Sequence, residues 1–172
     1  SDVYKRQVFG PDGDQTRPNP PLLNFAYREY SHDKAPVISG DGEQVRDFIW
    51  VKDVVRMLEL CMIKQPNDVF NVCSGKTVSV NQMTQWVAEA LGKEHLGIDH
   101  QPAGALWDTY PEMFEGEYPL DKDLVAKETT RYSKGSFEKA ERILGWRPHT
   151  DIESLVKKLS LIHISEPTRP LY

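Results

Sequence analysis

Apolar residues recur at helical spacing in several stretches, and the residues flanking them mark where each helix starts or stops. Val51, Val54, Val55, Leu58, Cys61 and Met62 predict a helix over residues 52–64 with one buried face. Asp53 lies in its first turn, where the helix dipole favours a carboxylate. Ser79 and Gln82 form a capping box ahead of Met83, Trp86, Val87, Ala90 and Leu91, and Gly92 supplies the stop. Phe137, Ala140, Ile143 and Leu144 repeat the pattern behind Ser136 and end at Gly145. Thr150 and Glu153 make a second capping box for Ile152, Leu155, Val156 and Leu159, and a weaker pattern predicts a helix near residues 21–31. Between these helices, β-branched and aromatic runs predict strands at Val37-Ile38, Val45 to Val51, Val69 to Cys73 and about Gly97 to His100. Strands alternating with helices indicate an α/β layer arrangement.

From Gln101 to about Thr130 no period holds, and Trp107, Tyr110, Phe114 and Tyr118 sit among prolines. A loop of that length suits a lid over a site, or a segment packed down by its own aromatics.

Composition narrows the class. The chain has 172 residues, of which 39% are hydrophobic and 27% charged, ordinary values for a globular protein with a core of its own. A net charge of −5 argues against a nucleic-acid groove, which would leave a basic stripe. The acidic run Glu112 to Asp123 has no ligand spacing for a metal and reads as a solvated loop. Cys61 and Cys73 both fall within predicted apolar elements and read as buried free thiols of a reducing compartment. No apolar run approaches the ~18–20 residues of a membrane span and no signal pattern opens the chain, so neither a membrane nor a nucleic-acid partner is expected and the assignment is cytoplasmic. The five histidines show no metal spacing. SDVYKRQ (residues 1–7) and SLIHISEPTRPLY (residues 160–172) read as translations of sequencing-adapter DNA, and both are set aside from the fold.

The richest chemistry lies in residues 40–53, GDGEQVRDFIWVKD. Gly40-Asp41-Gly42 is a turn signal, and the apolar run from Val45 to Val51 is broken only by Arg46 and Asp47. An arginine between a tight turn and an apolar strand rides on a stiff element, and its planar fork of donors suits a phosphate or carboxylate. The other reading is a structural ion pair of Arg46 with Asp47 or Asp53, and the residues alone leave both open.

Four segments carry a resemblance: VFGP (Val8 to Pro11), GDGEQVRDFIWVKDVV (Gly40 to Val55), VFNVCSGKTVSV (Val69 to Val80) and KAERILGWRP (Lys139 to Pro148). Their order and spacing resemble those of the NAD-dependent epimerase/dehydratase family, the extended short-chain dehydrogenases that act on nucleotide sugars. The match covers residues 8–158. It implies an α/β fold comprising the last strands of a Rossmann-like sheet plus a small substrate-binding lobe, the C-terminal part of such an enzyme. Val8-Phe9 and Val69 to Cys73 would return the chain to the nucleotide-binding sheet. The resemblance assigns Arg46 to the diphosphate of a nucleotide sugar, Leu22 to a contact near the base, and Val37, Ile38 and Ser39 to the strand that runs past it. Relatives carry an Arg-x-x-Asp element before the tryptophan that matches Trp146. Here that region reads AKETTR, and Lys127 or Arg131 could substitute as a cation without matching the pattern.

The cofactor implied is NAD, yet no Gly-rich fingerprint is present. Gly40-Asp41-Gly42 has Val45 where the last glycine of a dinucleotide turn would stand, and Gly75-Lys76-Thr77 has Phe70 in place of the first glycine of a P-loop. Tyr30 and Lys34 have the Tyr-x-x-x-Lys spacing of the family's catalytic pair, but in the family that pair precedes the strand ending in VFGP, and Lys34 follows a helix end. No catalytic residue is therefore assigned, and the chain by itself is expected to be inactive, with the chemistry upstream of Val8. The resemblance leaves a homodimeric parent open. A related reductase or dehydrogenase acting on a non-nucleotide substrate, or a non-catalytic binding protein on the same fold, are the alternative readings.

Overall fold

The computed structural model describes residues 7–11, 20–103, 105, 114–116, 119, 121, 123 and 132–165. Strand β1 (Gln7–Phe9) is followed by helix α1 (Leu22–Ser31), strands β2 (Val37–Ser39) and β3 (Val45–Trp50), helix α2 (Val51–Lys64), strand β4 (Thr77–Ser79) and helix α3 (Val80–Leu91). A 3-10 turn (Glu94–Leu96), strand β5 (Asp99–Gln101), and helices α4 (Glu138–Leu144) and α5 (Ile152–Ser165) complete the described elements. β3 is the centre of a three-stranded sheet. β1 runs parallel to it, with Val8 opposite Ile49, and β4 runs antiparallel, with Arg46 opposite Val78. β2 and β5 form a separate parallel pair in which Ile38 faces His100.

Side chains alternate across a strand, and β3 uses this to divide two cores. Phe48 and Trp50 point into the first, built from Phe9, Leu23, Ala26, Tyr30, Met83, Val87, Val156 and Leu159, where α3 packs between α1 and α5. Phe9 and Trp50 meet there with ring centroids 5.3 Å apart. Ile49 points to the other side, into a second core with Met57, Ala140, Leu144 and Trp146, where α2 meets α4. Trp146 and Phe137 meet at a steep angle of 80° with ring centroids 6.3 Å apart, and the Trp146 indole N–H donates to the Asp53 carbonyl at 3.2 Å.

Two buried carboxylates fasten the rest of the chain to β3 and α2. Asp47, on the Ile49 face, accepts from Ser74 N (2.8 Å), Ser74 Oγ (2.7 Å), Gly75 N (3.0 Å) and Gly135 N (3.1 Å). Asp53 accepts from His149 N at 3.0 Å and from the Thr150 hydroxyl, and pairs with Arg56 at 2.9 Å. Both aspartates are almost fully buried. Each therefore satisfies backbone donors of loops that no helix or sheet ladder would satisfy.

Most predicted helices form within a residue or two of their expected ends. Ser79 caps α3 by accepting from Gln82 N at 3.1 Å, and Gly92 and Gly145 end α3 and α4 in the left-handed region. Several expectations are corrected. The face of α2 expected to be buried is not the one that packs most deeply: Val55, Leu58 and Met62 are exposed, and Asp53 and Met57 turn inward. Val69 to Cys73 is not a strand: it runs irregularly, pairs with no strand among the described residues, and leaves Val69 83% exposed, because a β-branched run becomes a strand only where a partner offers a ladder. Thr150 does not cap α5, since its hydroxyl is committed to Asp53 and to Trp50 N at 3.3 Å; Asp151 stands before the helix instead. Cys61 is only half-buried, whereas Cys73 is fully enclosed. β4 and the 3-10 turn were not expected, and α5 continues past Ser160, which is buried and bonds Val156 O. No helix among the described residues is long and apolar enough to cross a membrane.

Two outcomes test this packing. Asp47→Ala strands three backbone donors and should cost at least about 3 kcal/mol in urea unfolding, at about 1–3 kcal/mol per unsatisfied buried group. Asp47→Asn keeps the shape and one acceptor oxygen and should cost clearly less; equal loss in the two variants would show that shape and one acceptor contribute nothing and that the charged carboxylate with both its oxygens is required. Tyr30 provides the second test. Its hydroxyl is enclosed and donates to Gly97 O at 2.9 Å, and burial raises its pKa from 10.0 to about 12. Because the folded state holds the proton more tightly, this contribution is complete below about pH 10 and is lost as the pH rises from 10 to 12. The difference in stability between the wild type and Tyr30→Phe should therefore shrink over that window, and a difference independent of pH would exclude the titration of Tyr30 as its source.

Candidate functional site

The alternation of β3 also decides where Arg46 points. Arg46 shares its face with Phe48 and Trp50, so its side chain leaves the strand on the side opposite Asp47. It is half-buried, and Nη1 donates to Val45 O at 3.0 Å. Both carboxylates considered as structural partners for Arg46 are otherwise employed: Asp47 holds the 74–75 and 135 amides, and Asp53 holds Arg56 and the 149–150 segment.

On the same face of β3, Phe48 stands two residues from Arg46, roughly 7 Å along the strand. There it lines a cavity of about 220 Å³ with Val8, Phe9, Leu22, Leu23 and Val51. Leu22 is the first residue of α1, and Gly10 at the end of β1 lies against Val51 so closely that a Cβ there would come within 2.5 Å of Val51 Cγ1. The sequence-derived residues Arg46 and Leu22 are thus brought to one side of one strand. The cavity wall is largely apolar, suited to a flat ring or a sugar face; Arg46 is not part of the wall and lies two residues along the strand from Phe48.

The strand assigned to the base approaches from the glycine turn. Ile38 is buried, whereas Val37 is 45% exposed and Ser39 half-buried, so of the three only Val37 and Ser39 offer side-chain surface. Ser39 Oγ accepts from Gln101 Nε2 at 3.0 Å, and Ser39 O accepts from Gln44 Nε2 at 3.3 Å. Gly40 N donates to Gln101 O at 2.8 Å, so the turn that follows is tied to both strands of the small sheet. Residues 40–44 then carry the chain from Ser39 to the start of β3. Lys127 and Arg131 lie outside the described residues, as does most of the 101–130 segment.

Neither glycine turn presents amides to a dinucleotide. At Gly42, φ is +75° and Asn81 Oδ1 sits 1.9 Å from the point a Cβ would occupy, so the inside of that turn is filled by protein. Around Gly75, the N–H groups of Ser74 and Gly75, which would cradle a phosphate in a P-loop, are spent on Asp47. Among the described residues, NAD finds no phosphate cradle in these turns. Tyr30 is enclosed with its hydroxyl donating to Gly97 O, while Lys34 is exposed beyond the end of α1.

Sequence reasoning missed the roles of Gln44, Asn81 and Gln101. Their chemistry is ordinary, and only the fold shows that they converge on the 39–44 segment. Asp47 and Asp53 were read as a break in the strand and a dipole partner, when burial makes them the principal acceptors of the structure.

Comparison with known proteins agrees with this architecture. The crystal structure of UDP-glucose 4-epimerase from Thermotoga maritima with UDP-glucose superposes with a TM-score of 0.69 and 29% identity, covering 92% of this chain and 43% of that one. The UDP-N-acetylglucosamine 4-epimerase of Methanobrevibacter ruminantium gives a TM-score of 0.70 at 24% identity, over 92% of this chain and 44% of that one, and shows the shared fold. A Methanocaldococcus jannaschii protein provisionally named UDP-glucose 4-epimerase is 29% identical over 126 residues, 73% of this chain and 33% of its own length. The chain therefore spans less than half the length of these relatives. The model of the GDP-mannose 4,6 dehydratase family matches residues 9–159, nearly the whole chain, and the chain belongs to that family of NAD-dependent epimerases and dehydratases.

Proposed function

We propose that this chain supplies the nucleotide-diphosphate-sugar binding lobe of a longer NAD-dependent epimerase or dehydratase. The observation that carries this reading is the placement of Arg46 on a stiff central strand, on the same face as Phe48, which lines the cavity with Leu22, and a short turn away from Val37 and Ser39. Arg46 anchors the diphosphate. Leu22 and the exposed parts of Val37 to Ser39 cradle the base, with Lys127 or Arg131 as a second cation. Binding energy gathered at the diphosphate and base, remote from the reacting carbon, then holds the sugar ring in one orientation.

Exposed apolar surface supports a longer parent. Val55, Leu58 and Met62 form a stripe along the outer side of α2, and Val69 is exposed beside a segment that pairs with no described strand. A helix whose apolar positions point outward is stable in water only at a cost, and a further layer of protein over it removes that cost. NAD, the cofactor implied for the family, supplies a hydride acceptor when bound; in this reading the parent holds it with residues other than the described glycine turns. The work of the present residues is to bind and orient the substrate.

In the parent, Arg46→Ala should weaken nucleoside-diphosphate binding by about 1.5–3 kcal/mol, the scale of a charge-assisted hydrogen bond, which is roughly ten- to a hundredfold in Kd. Unchanged affinity with the fold intact would return Arg46 to a structural role. A parent that binds no nucleoside diphosphate at all would point instead to a reductase acting on another substrate. The purified 172-residue chain should give no turnover of a nucleotide sugar with added NAD, and measurable turnover would overturn the assignment of the chemistry to the rest of the parent.

A further inference from the structure

The turn between the base strand and Arg46 is held from outside by one residue. Asn81, in the first turn of α3, donates its backbone N–H to Gly42 O at 3.0 Å. Its side-chain Nδ2 donates to Asp41 O at 2.9 Å and to Glu43 Oε1 at 2.7 Å. Its Oδ1 lies 2.9 Å from His100 Nε2, and His100 stands opposite Ile38 in the β2–β5 register. Val80 N reaches Gln44 O at 3.2 Å, extending the same clamp to the residue before β3. Asn81 therefore touches both the turn that leads to Arg46 and the strand paired with the base segment.

Gly42 fits this arrangement in two independent ways. Its φ of +75° is a conformation that side chains rarely adopt, and any Cβ would collide with Asn81 Oδ1 at 1.9 Å. The close approach lets the asparagine reach over the turn to Asp41 O and Glu43 at once. From the other side, Gln44 binds Ser39 O and Gly40 N binds Gln101 O, so residues 40–44 are pinned at both ends. A five-residue turn without such pins would sample many separations between its ends.

Building on the binding reading above, we propose that Asn81 is a positioning residue that fixes the separation between the base-side strand Val37–Ser39 and the diphosphate-side Arg46. It contacts no ligand in this scheme. It makes the site read length, so that a nucleoside diphosphate spans base segment and arginine together, whereas a nucleoside engages only the first. Arg46 placed even a fraction of an ångström off would lose the short, directional bonds that a guanidinium makes with phosphate.

The test is Asn81→Asp, which keeps the shape, the backbone N–H bond to Gly42 O and an oxygen facing His100, but replaces the donor aimed at Asp41 O and Glu43 with an acceptor. UDP, GDP and dTDP, with the matching free nucleosides, are titrated into the chain by NMR at ligand concentrations into the millimolar range. Wild type should bind at least one diphosphate more tightly than its nucleoside, and Asn81→Asp should lower that affinity about tenfold or more while changing the nucleoside's by less than about twofold. The amide signals of residues 41–46 should shift or broaden in the variant, with the α1 and α5 amides unmoved. Adding Glu43→Gln to the Asn81→Asp chain places a donor between the two side chains again and should restore most of the lost affinity.

If Asn81→Asp leaves diphosphate affinity unchanged while Arg46→Ala lowers it, the positioning role is overturned and the Arg46 site stands. Equal losses for nucleoside and diphosphate, or a melting temperature that falls without rescue by Glu43→Gln, would reduce Asn81 to a structural contact and overturn the proposal. If Arg46→Ala also binds as wild type does, or if no diphosphate binds, the site reading fails and the inference falls with it.

Discussion

The carboxylate of Asp47 is the interaction on which most of this structure depends. It lies inside the protein at the middle of β3 and gathers donors from two loops that are distant in sequence, at Ser74-Gly75 and at Gly135. A buried carboxylate is unfavourable unless its lone pairs are filled, and amides buried in loops are unfavourable unless something accepts from them. Each therefore compensates for the other. The arrangement resembles an anion bound in a backbone nest, with the anion supplied by the chain itself. Asp53 repeats the device in the first turn of α2, where its carboxylate holds His149 and Thr150 and its backbone carbonyl accepts from Trp146.

The four short segments that carry the family resemblance meet around β3 and α2. VFGP pairs with β3 through β1, VFNVCSGK reaches it through Ser74 and Gly75, and KAERILGWRP reaches α2 through Trp146. The segments are thus parts of one contact set centred on residues 45–53. Alternation along β3 then separates contacts: the Asp47 and Ile49 face holds the 74–75 and 135 loops and the smaller core, and the face shared by Arg46, Phe48 and Trp50 packs on α1, α3 and α5, with Phe48 also lining the cavity. Adjacent residues serve different purposes because successive side chains point to opposite faces of a strand.

Helices were largely legible in the sequence because their signals are local. Ser79 with Gln82, and the glycines at 92 and 145, mark ends that the backbone adopts, since capping depends on residues within one turn. Strands were less legible. Val45 to Trp50 forms because β1 and β4 flank it, while Val69 to Cys73 is likewise rich in β-branched and aromatic residues but has no described partner. For the site, the pattern picked out Arg46 and Leu22, which the fold brings to one face, but nothing local distinguishes Asn81 from any other residue of a helical first turn. Its role arises from Gly42, 39 residues earlier in the sequence and in direct contact in space. Thr150 shows the converse error: a cap pattern correct by spacing was overridden because a buried carboxylate makes a stronger claim on a hydroxyl than an exposed helix end.

A site built in this way places little of its machinery in the ligand contacts themselves. Arg46 begins on a strand paired on both sides, its guanidinium restrained by a bond to its own strand's carbonyl, and the turn before it is pinned at Ser39, Asp41, Gly42 and Gln44. Ordering a long cationic side chain normally costs conformational entropy at the moment of binding. Here much of that order is already present in the folded chain, supplied by the same hydrogen bonds that hold β3 in place. The positions of the two faces of β3 are consequently not separable: loosening the hydrogen bonds on the Asp47 face would blur the position of Arg46 on the other.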